Sequence, residues 1–277
     1  MIAEVAAIAQ DAPAAISLDG VTDWAGFSRA VRLLVARGVA PGGVRWQVAG
    51  EDDVDLFGAA AMPARALPEP PPMNLPRAFV ESAREVFLHA DADRFALLHG
   101  LAARVAADAR HWDDPLHPER LHFERCLREV RREIHKMHAF VRFRPIPTEG
   151  EGEDDGALRH VAWFEPAHHV LEAAAPFFAR RFATLRWAIL TPRASVAWNG
   201  RALVHGPGAR REDAPAADAG EALWLAYYRS IFNPARVKLA MMKREMPVRF
   251  WRNLPEARQV GPMLAEAADR EHAMIAA

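Results

Sequence analysis

Between Phe123 and Phe143 the spacing of the apolar residues changes period, and no single regular element can carry both periods. Phe123, Leu127, Val130, Ile134 and Met137 recur in alternating steps of four and three, which lays one continuous apolar stripe along an α-helix. Beyond His138 the period falls to two. AFVRFRPI (139–146) and RHVAWFEP (159–166) alternate as strands with one buried face do, across an acidic, glycine-containing loop. A chain that is helical on one side of this point and sheet-forming on the other is expected to be α+β, with helices packed on a meandering antiparallel sheet.

The flanking segments extend this reading. Residues 16–50 predict a small strand–helix–strand unit: Asp23 caps a helix carrying Trp24, Phe27, Val31, Leu34 and Val35, Gly38 stops it, and VRWQV (44–48) is a strand. Residues 63–76, PARALPEPPPMNLP, hold six prolines, too many for a helix or a central strand, and are expected to form a stiff linker or surface strap. Helices are predicted over 77–89, 92–109 and 168–183, with HWDDPLHP (111–118) as a loop. Asn199-Gly200 predicts a tight hairpin within 195–206, because both residues tolerate positive φ. A long helix is expected from Ala222 to about Arg244, ended by Pro247, with a last one starting at Pro255. The expected organisation is an N-terminal α/β unit (1–62), the proline segment (63–76), a main α+β domain (77–258) and a C-terminal helical tail (259–277).

Composition narrows the class. A chain of 277 residues, 51% of them hydrophobic, can bury a substantial core. It lacks the run of about twenty apolar residues that a membrane span needs. Its single cysteine, Cys126, excludes an internal disulfide and fits a reducing cytoplasm. The N-terminus has Glu4 and no basic region, so no secretory signal is expected. Net charge is −1, yet the charge is uneven. Acids gather at Glu51, Asp52, Asp53 and Asp55. From Tyr227 to Arg258 the cations Arg229, Arg236, Lys238, Lys243, Arg244, Arg249, Arg252 and Arg258 face only Glu245 and Glu256. Tyr227, Tyr228, Phe232, Asn233, Phe250, Trp251 and Asn253 are interleaved with them. Cations neutralise phosphates and flat rings stack on unpaired bases, so this mixture suits a nucleic-acid surface.

A second cationic segment lies where the period changes. Arg131, His135 and His138 share one helix face, with Arg128, Arg132 and Lys136 in the adjoining row and Arg142 just beyond. Near a helix C-terminus such residues could hold phosphate. The plainer reading is a solvated helix end in which Glu129 and Glu133 pair with arginines at i, i+4 spacing. His135 and His138 are the candidate general acids or bases. An H-x-x-H pair can chelate, and His168-His169 could add ligands, but the spacing matches no standard zinc site. No Walker A, G-x-G-x-x-G or G-x-S-x-G motif is present, and Cys126 lacks the surroundings of a catalytic thiol. No metal and no cofactor are therefore expected.

IHKMHAFVRF (134–143), VAWFEPAHHVLEAAAPFFARRFATLRWAILTP (161–192), YYRSIFNPARVKLAMMKREMPVRFWRNLPEA (227–257) and TDWAGFSRAVRLLVARGVAPGGVRW (22–46) together resemble an uncharacterised bacterial family linked to DNA metabolism and repair, the domain of unknown function 4130. The resemblance implies a setting beside a radical-SAM protein linked to DNA repair, or fusion ahead of a family-4-like uracil-DNA glycosylase domain. No glycosylase motif occurs here, so uracil excision is not expected. A stand-alone chain and a piece of a longer fusion are both compatible with the sequence.

The leading expectation is a DNA-binding accessory factor for single-stranded or damaged DNA, using Arg131, His135, Lys136, His138, Arg142, Tyr228, Asn233, Arg236, Lys243, Arg249 and Trp251. One alternative is a protein adaptor for the radical-SAM or glycosylase partner. Another is a nucleic-acid-processing enzyme using His135 or His138. No membrane partner is expected.

Overall fold

The computed structural model describes residues 14–49, 61–147, 158–215, 225, 239–263 and 265. The chain divides into two compact units, residues 1–132 with 167–169, and residues 133–166 with 170–277. Among the described residues no helix is long and apolar enough to cross a membrane.

The first unit begins with the expected strand–helix–strand, β1 (Ala14–Leu18), α1 (Trp24–Ala36) and β2 (Val44–Val48). The two strands run parallel, as a helical crossover between neighbours requires. Asp23 caps α1 as expected, its Oδ1 accepting the Gly26 amide at 2.8 Å, and Gly38 leaves the helix with φ 70°. Met62 and the first residue of the proline-rich segment, Pro63, form β3 (Met62–Pro63) on the other side of β1, an edge where the missing N–H of Pro63 does little harm. Beyond it the chain is a strap held by α1. Arg29 and Arg32 donate to the carbonyls of Leu67 and Pro71, both at 3.2 Å, and Arg29 pairs with Glu69 at 3.1 Å. Prolines offer acceptors without donors, and these arginines supply the donors.

Three helices complete this unit: α2 (Arg77–Val86), α3 (Arg94–Ala107) and α4 (Pro118–Phe140), the last belonging to it as far as Arg132. Phe27, Phe87 and Phe95 are buried and pack ring against ring with Trp46, with Phe27 centroids 4.9 Å from Trp46 and 5.0 Å from Phe87. The α4 stripe contributes Phe123, Leu127 and Val130, all buried. Burying each such side chain is worth roughly 1.5–3 kcal/mol.

The second unit is built on a five-stranded sheet of order β4-β5-β6-β7-β8, formed by Arg144–Pro147, Leu158–Trp163, Arg186–Leu190, Ala194–Trp198 and Leu203–Pro207. The α+β class is as expected, and the antiparallel meander holds from β6 to β8. The β5–β6 pair is parallel instead. Its strands are joined by α5 (Leu171–Arg181), which buries Leu171, Ala174, Ala175 and Phe178. The strand expected over 139–146 begins only at Arg144. The Val141 amide still bonds to the Met137 carbonyl at 3.1 Å, so the helix runs through the first residues of the alternating pattern. The β7–β8 hairpin turns at Asn199-Gly200: Gly200 has φ 91°, and Asn199 Oδ1 accepts the amides of Arg201 and Ala202, each at 2.9 Å. Of the long helix expected over 222–244, only α6 (Leu239–Glu245) and Leu225 fall within the described residues; α6 ends before Pro247. A 3₁₀ segment (Val248–Asn253) and helical backbone at 257–263 follow.

One glycine of this unit is fixed by close approach. A Cβ on Gly208 would stand against the backbone carbonyl of Pro192, well inside contact distance, where no flexible side chain can yield. Gly208→Ala is expected to destabilise the protein by about 2–3 kcal/mol in urea unfolding. Gly42→Ala, which meets open space, should stay within about 0.5 kcal/mol of the parent. Equal unfolding midpoints for the two variants would contradict the packing at Gly208.

Candidate nucleic-acid interface

The cations singled out in the sequence have specific partners. In the first unit Arg131 forms a two-pronged pair with Glu85, at 2.7 and 2.8 Å. In the second unit Lys136 is buried, its Nζ donating to the Glu245 carbonyl and lying 3.5 Å from the Glu245 carboxylate. Arg142 donates to Glu256 at 3.0 Å, and Arg249 pairs with the buried carboxylate of Glu133. Glu133 therefore meets an arginine from a distant segment, and Glu129 meets His89 at 2.9 Å. His135 and Lys243 are exposed. The Trp251 indole donates to the Met246 carbonyl at 2.8 Å and is half-buried, while its neighbour Phe250 is buried against Phe164 and Phe140. Tyr228, Asn233 and Arg236 lie outside the described residues.

His138 sits among aromatic rings, stacked on Phe177 at 4.1 Å between centroids and edge-on to Phe178. Burial pushes its pKa down, with His135 and Arg180 adding to the effect. In the first unit His99 is fully buried, and burial lowers its pKa too. Both rings therefore take up a proton less readily in the folded protein than in the unfolded chain. Above the unfolded histidine value of 6.5 they cost nothing. Below it the unfolded chain takes up protons that the folded chain refuses, so stability falls with pH until the folded-state values are reached. The expected loss is at most about 1.4 kcal/mol per pH unit from each ring. Urea unfolding between pH 7.5 and 5.5 measures this slope, and His138→Leu should make it shallower. An unchanged slope in that variant would remove His138 from the account.

A different group of cations converges in the second unit. Arg142, Arg144, Trp163, Arg211 and Asn253 line one hollow with Val161, Ala214 and Pro215. Arg144 stands at the start of β4, and Trp163 at the end of β5. Arg211 opens a short 3₁₀ turn (Arg211–Asp213), and Asn253 ends the 3₁₀ segment after Pro247. The Arg144 Nη1 donates to the Pro215 carbonyl at 2.8 Å, and the Arg211 guanidinium is 6.0 Å from the centre of the Trp163 ring. The Trp163 indole N–H is fixed by Glu165 at 2.7 Å, which also pairs with Arg252. Three guanidiniums line the hollow, and one of them, Arg142, pairs there with Glu256. The Asn253 Nδ2 is buried with no hydrogen-bond partner among the described residues. A buried amide donor left unsatisfied costs roughly 1–3 kcal/mol, which an acceptor entering the hollow would recover. The hollow holds about 10 Å³, room for the centre of roughly one water-sized group. It suits a phosphoryl oxygen on a surface and is too small to enclose a nucleotide. Of these residues only Arg142 is among the sequence-predicted set. Arg144, Trp163 and Arg211 carry no local signal that separates them from other strand and turn residues.

In the first unit, one further group of ligand-type atoms occurs among the described residues, formed by His89, Glu129 and His168. The His89 hydrogen bond, with smaller contributions from the charges of His89, His168 and Arg125, holds the Glu129 carboxyl below the usual range. Cys126, one turn earlier on α4, is buried, and burial pushes its thiol up, which makes it inert.

Fold and hollow together describe an α+β protein with an arginine-lined hollow that includes an indole. The chain belongs to the family of the domain of unknown function DUF4130, whose model matches residues 92–256. The matched span contains all five polar and aromatic residues of the hollow and leaves the N-terminal strand–helix–strand outside. Searches of curated proteins and of solved structures each gave no match.

Proposed function

We propose that this protein binds nucleic acid, as an accessory factor in DNA metabolism, by seating backbone phosphate against Arg142, Arg144 and Arg211. The observation that carries the reading is the convergence of three guanidiniums, a half-buried indole and an unsatisfied amide donor on one shallow hollow. Guanidinium forks match phosphate oxygens in pairs, and Arg keeps its charge at any physiological pH. The Trp163 ring lies beside them as a platform for an unpaired base, which favours single-stranded or locally opened DNA over regular duplex. In this reading a radical-SAM or glycosylase partner, as the family resemblance implies, would act on DNA that this chain holds.

Fluorescence anisotropy with single-stranded, duplex and uracil-containing DNA across a salt series tests the proposal. Three phosphate contacts predict a log–log salt slope of about −2 for single strands, from roughly −0.7 per contact. Absence of binding at low salt, or binding insensitive to salt, would overturn it.

A further inference from the structure

His89, Glu129 and His168 come from three separate segments of the first unit. His89 follows α2, Glu129 is on α4, and His168 is in residues 167–169, which belong to this unit although their flanks do not. The Leu88 carbonyl accepts the His169 amide at 2.9 Å, so the short excursion is pinned beside residues 88–91. Two consecutive backbone amides then hold the two imidazoles by the same atom. Asp91 N–H donates to His89 Nδ1 and Ala90 N–H to His168 Nδ1, each at 3.2 Å. The amides leave Nε2 as the second nitrogen of each ring, and that of His89 lies 2.9 Å from Glu129 Oε2. The rings stack with centroids 4.3 Å apart and planes 30° from parallel. All three ligand atoms lie within 4.8 Å of one another.

We propose that His89, Glu129 and His168 form a binding site for a first-row transition dication, Zn²⁺ above all, with a coordination position left for water or a phosphate oxygen. Two imidazole nitrogens and one carboxylate oxygen are a donor set for borderline metals, whereas Mg²⁺ and Ca²⁺ prefer oxygen alone. A lone His–Glu hydrogen bond needs only one histidine; the stacked His168 ring, held by the Ala90 amide, brings a second imidazole into the same cluster. With bonds of about 2.0–2.2 Å, tetrahedral ligand atoms stand about 3.4 Å apart, so no pair has to close by more than about 1.4 Å on binding. Ligation at Nε2 moves each ring proton to Nδ1 and gives up the long amide contact there. His89 is buried while the Glu129 side chain is 49% exposed, so one side of the site is dry and the other is open to entry.

The test uses the full-length, tag-free chain, stripped with chelator and titrated with Zn²⁺ by calorimetry, with Co²⁺ as the spectroscopic probe and Mg²⁺ for comparison. One equivalent of Zn²⁺ bound with a raised Tm, no response to Mg²⁺, and at least tenfold weaker binding in His168→Ala and in Glu129→Gln are expected. The Co²⁺ d–d spectrum should collapse in both variants. His205→Ala, an exposed histidine of the second unit, should bind as the parent does. Glu129→Gln is isosteric and half-exposed, so its circular dichroism separates lost ligation from lost folding. Failure to bind a stoichiometric metal, or parental affinity in both ligand variants, would overturn the proposal. Neither readout depends on nucleic acid, so the proposal stands or falls apart from the reading of the arginine hollow.

Discussion

Replacing Arg144 and Arg211 together with alanine is expected to weaken binding of single-stranded DNA roughly 100-fold at low salt. Each guanidinium lost from a phosphate removes a charge-assisted contact worth about 1.5 kcal/mol, and two such losses approach 3 kcal/mol. The salt slope should flatten by about 1.4, twice the roughly 0.7 released per phosphate contact on a single strand. This second readout matters, because a general loss of folding lowers affinity without changing the slope in that proportion. Arg142 is a poorer choice for the test, since its hydrogen bond to the buried Glu256 couples it to the fold. Arg201→Ala, at the exposed β7–β8 turn, should leave both affinity and slope unchanged. Parental affinity and slope in the Arg144/Arg211 double variant would mean that DNA is bound elsewhere or not at all.

The largest expected effect on stability is that of Trp187→Ala, a loss of about 3–5 kcal/mol. Trp187 lies on the central strand β6 and is 1% exposed. Its ring meets Phe143 at 5.6 Å and Phe178 at 6.1 Å, joining the sheet to the residues after α4 and to α5. Truncation opens a cavity bounded by three elements, none of which can collapse into it alone. Native stabilities are about 5–15 kcal/mol, so the variant should lose a large share of its cooperative unfolding transition. Trp187→Phe should cost much less. The Trp187 Nε1 is buried with no hydrogen-bond partner among the described residues, and phenylalanine removes that unsatisfied donor while keeping most of the ring. Urea unfolding followed by circular dichroism distinguishes the two. An alanine variant within about 1 kcal/mol of the parent would show that the ring does not hold this core together.

What the sequence determined by itself is what neighbouring residues decide among themselves. Asp23 caps α1, Asn199-Gly200 turns the β7–β8 hairpin, Pro247 stops α6, and the stripe from Phe123 to Met137 is a helix, because each feature is settled within a few residues by φ preference, a local hydrogen bond or a fixed period. The α+β class follows from the same local patterns. Only the tertiary structure decided that β5 and β6 run parallel, and which charges remain available. Arg249 looks like a surface cation in sequence, yet it answers a buried carboxylate 116 residues earlier, and Lys136 is buried against Glu245, 109 residues later. The arginine hollow and the His89–Glu129–His168 cluster are likewise assembled from segments that periodicity cannot join. Burial and pairing depend on which surfaces meet when the chain collapses, and that choice is made by long-range packing, which a local pattern does not encode.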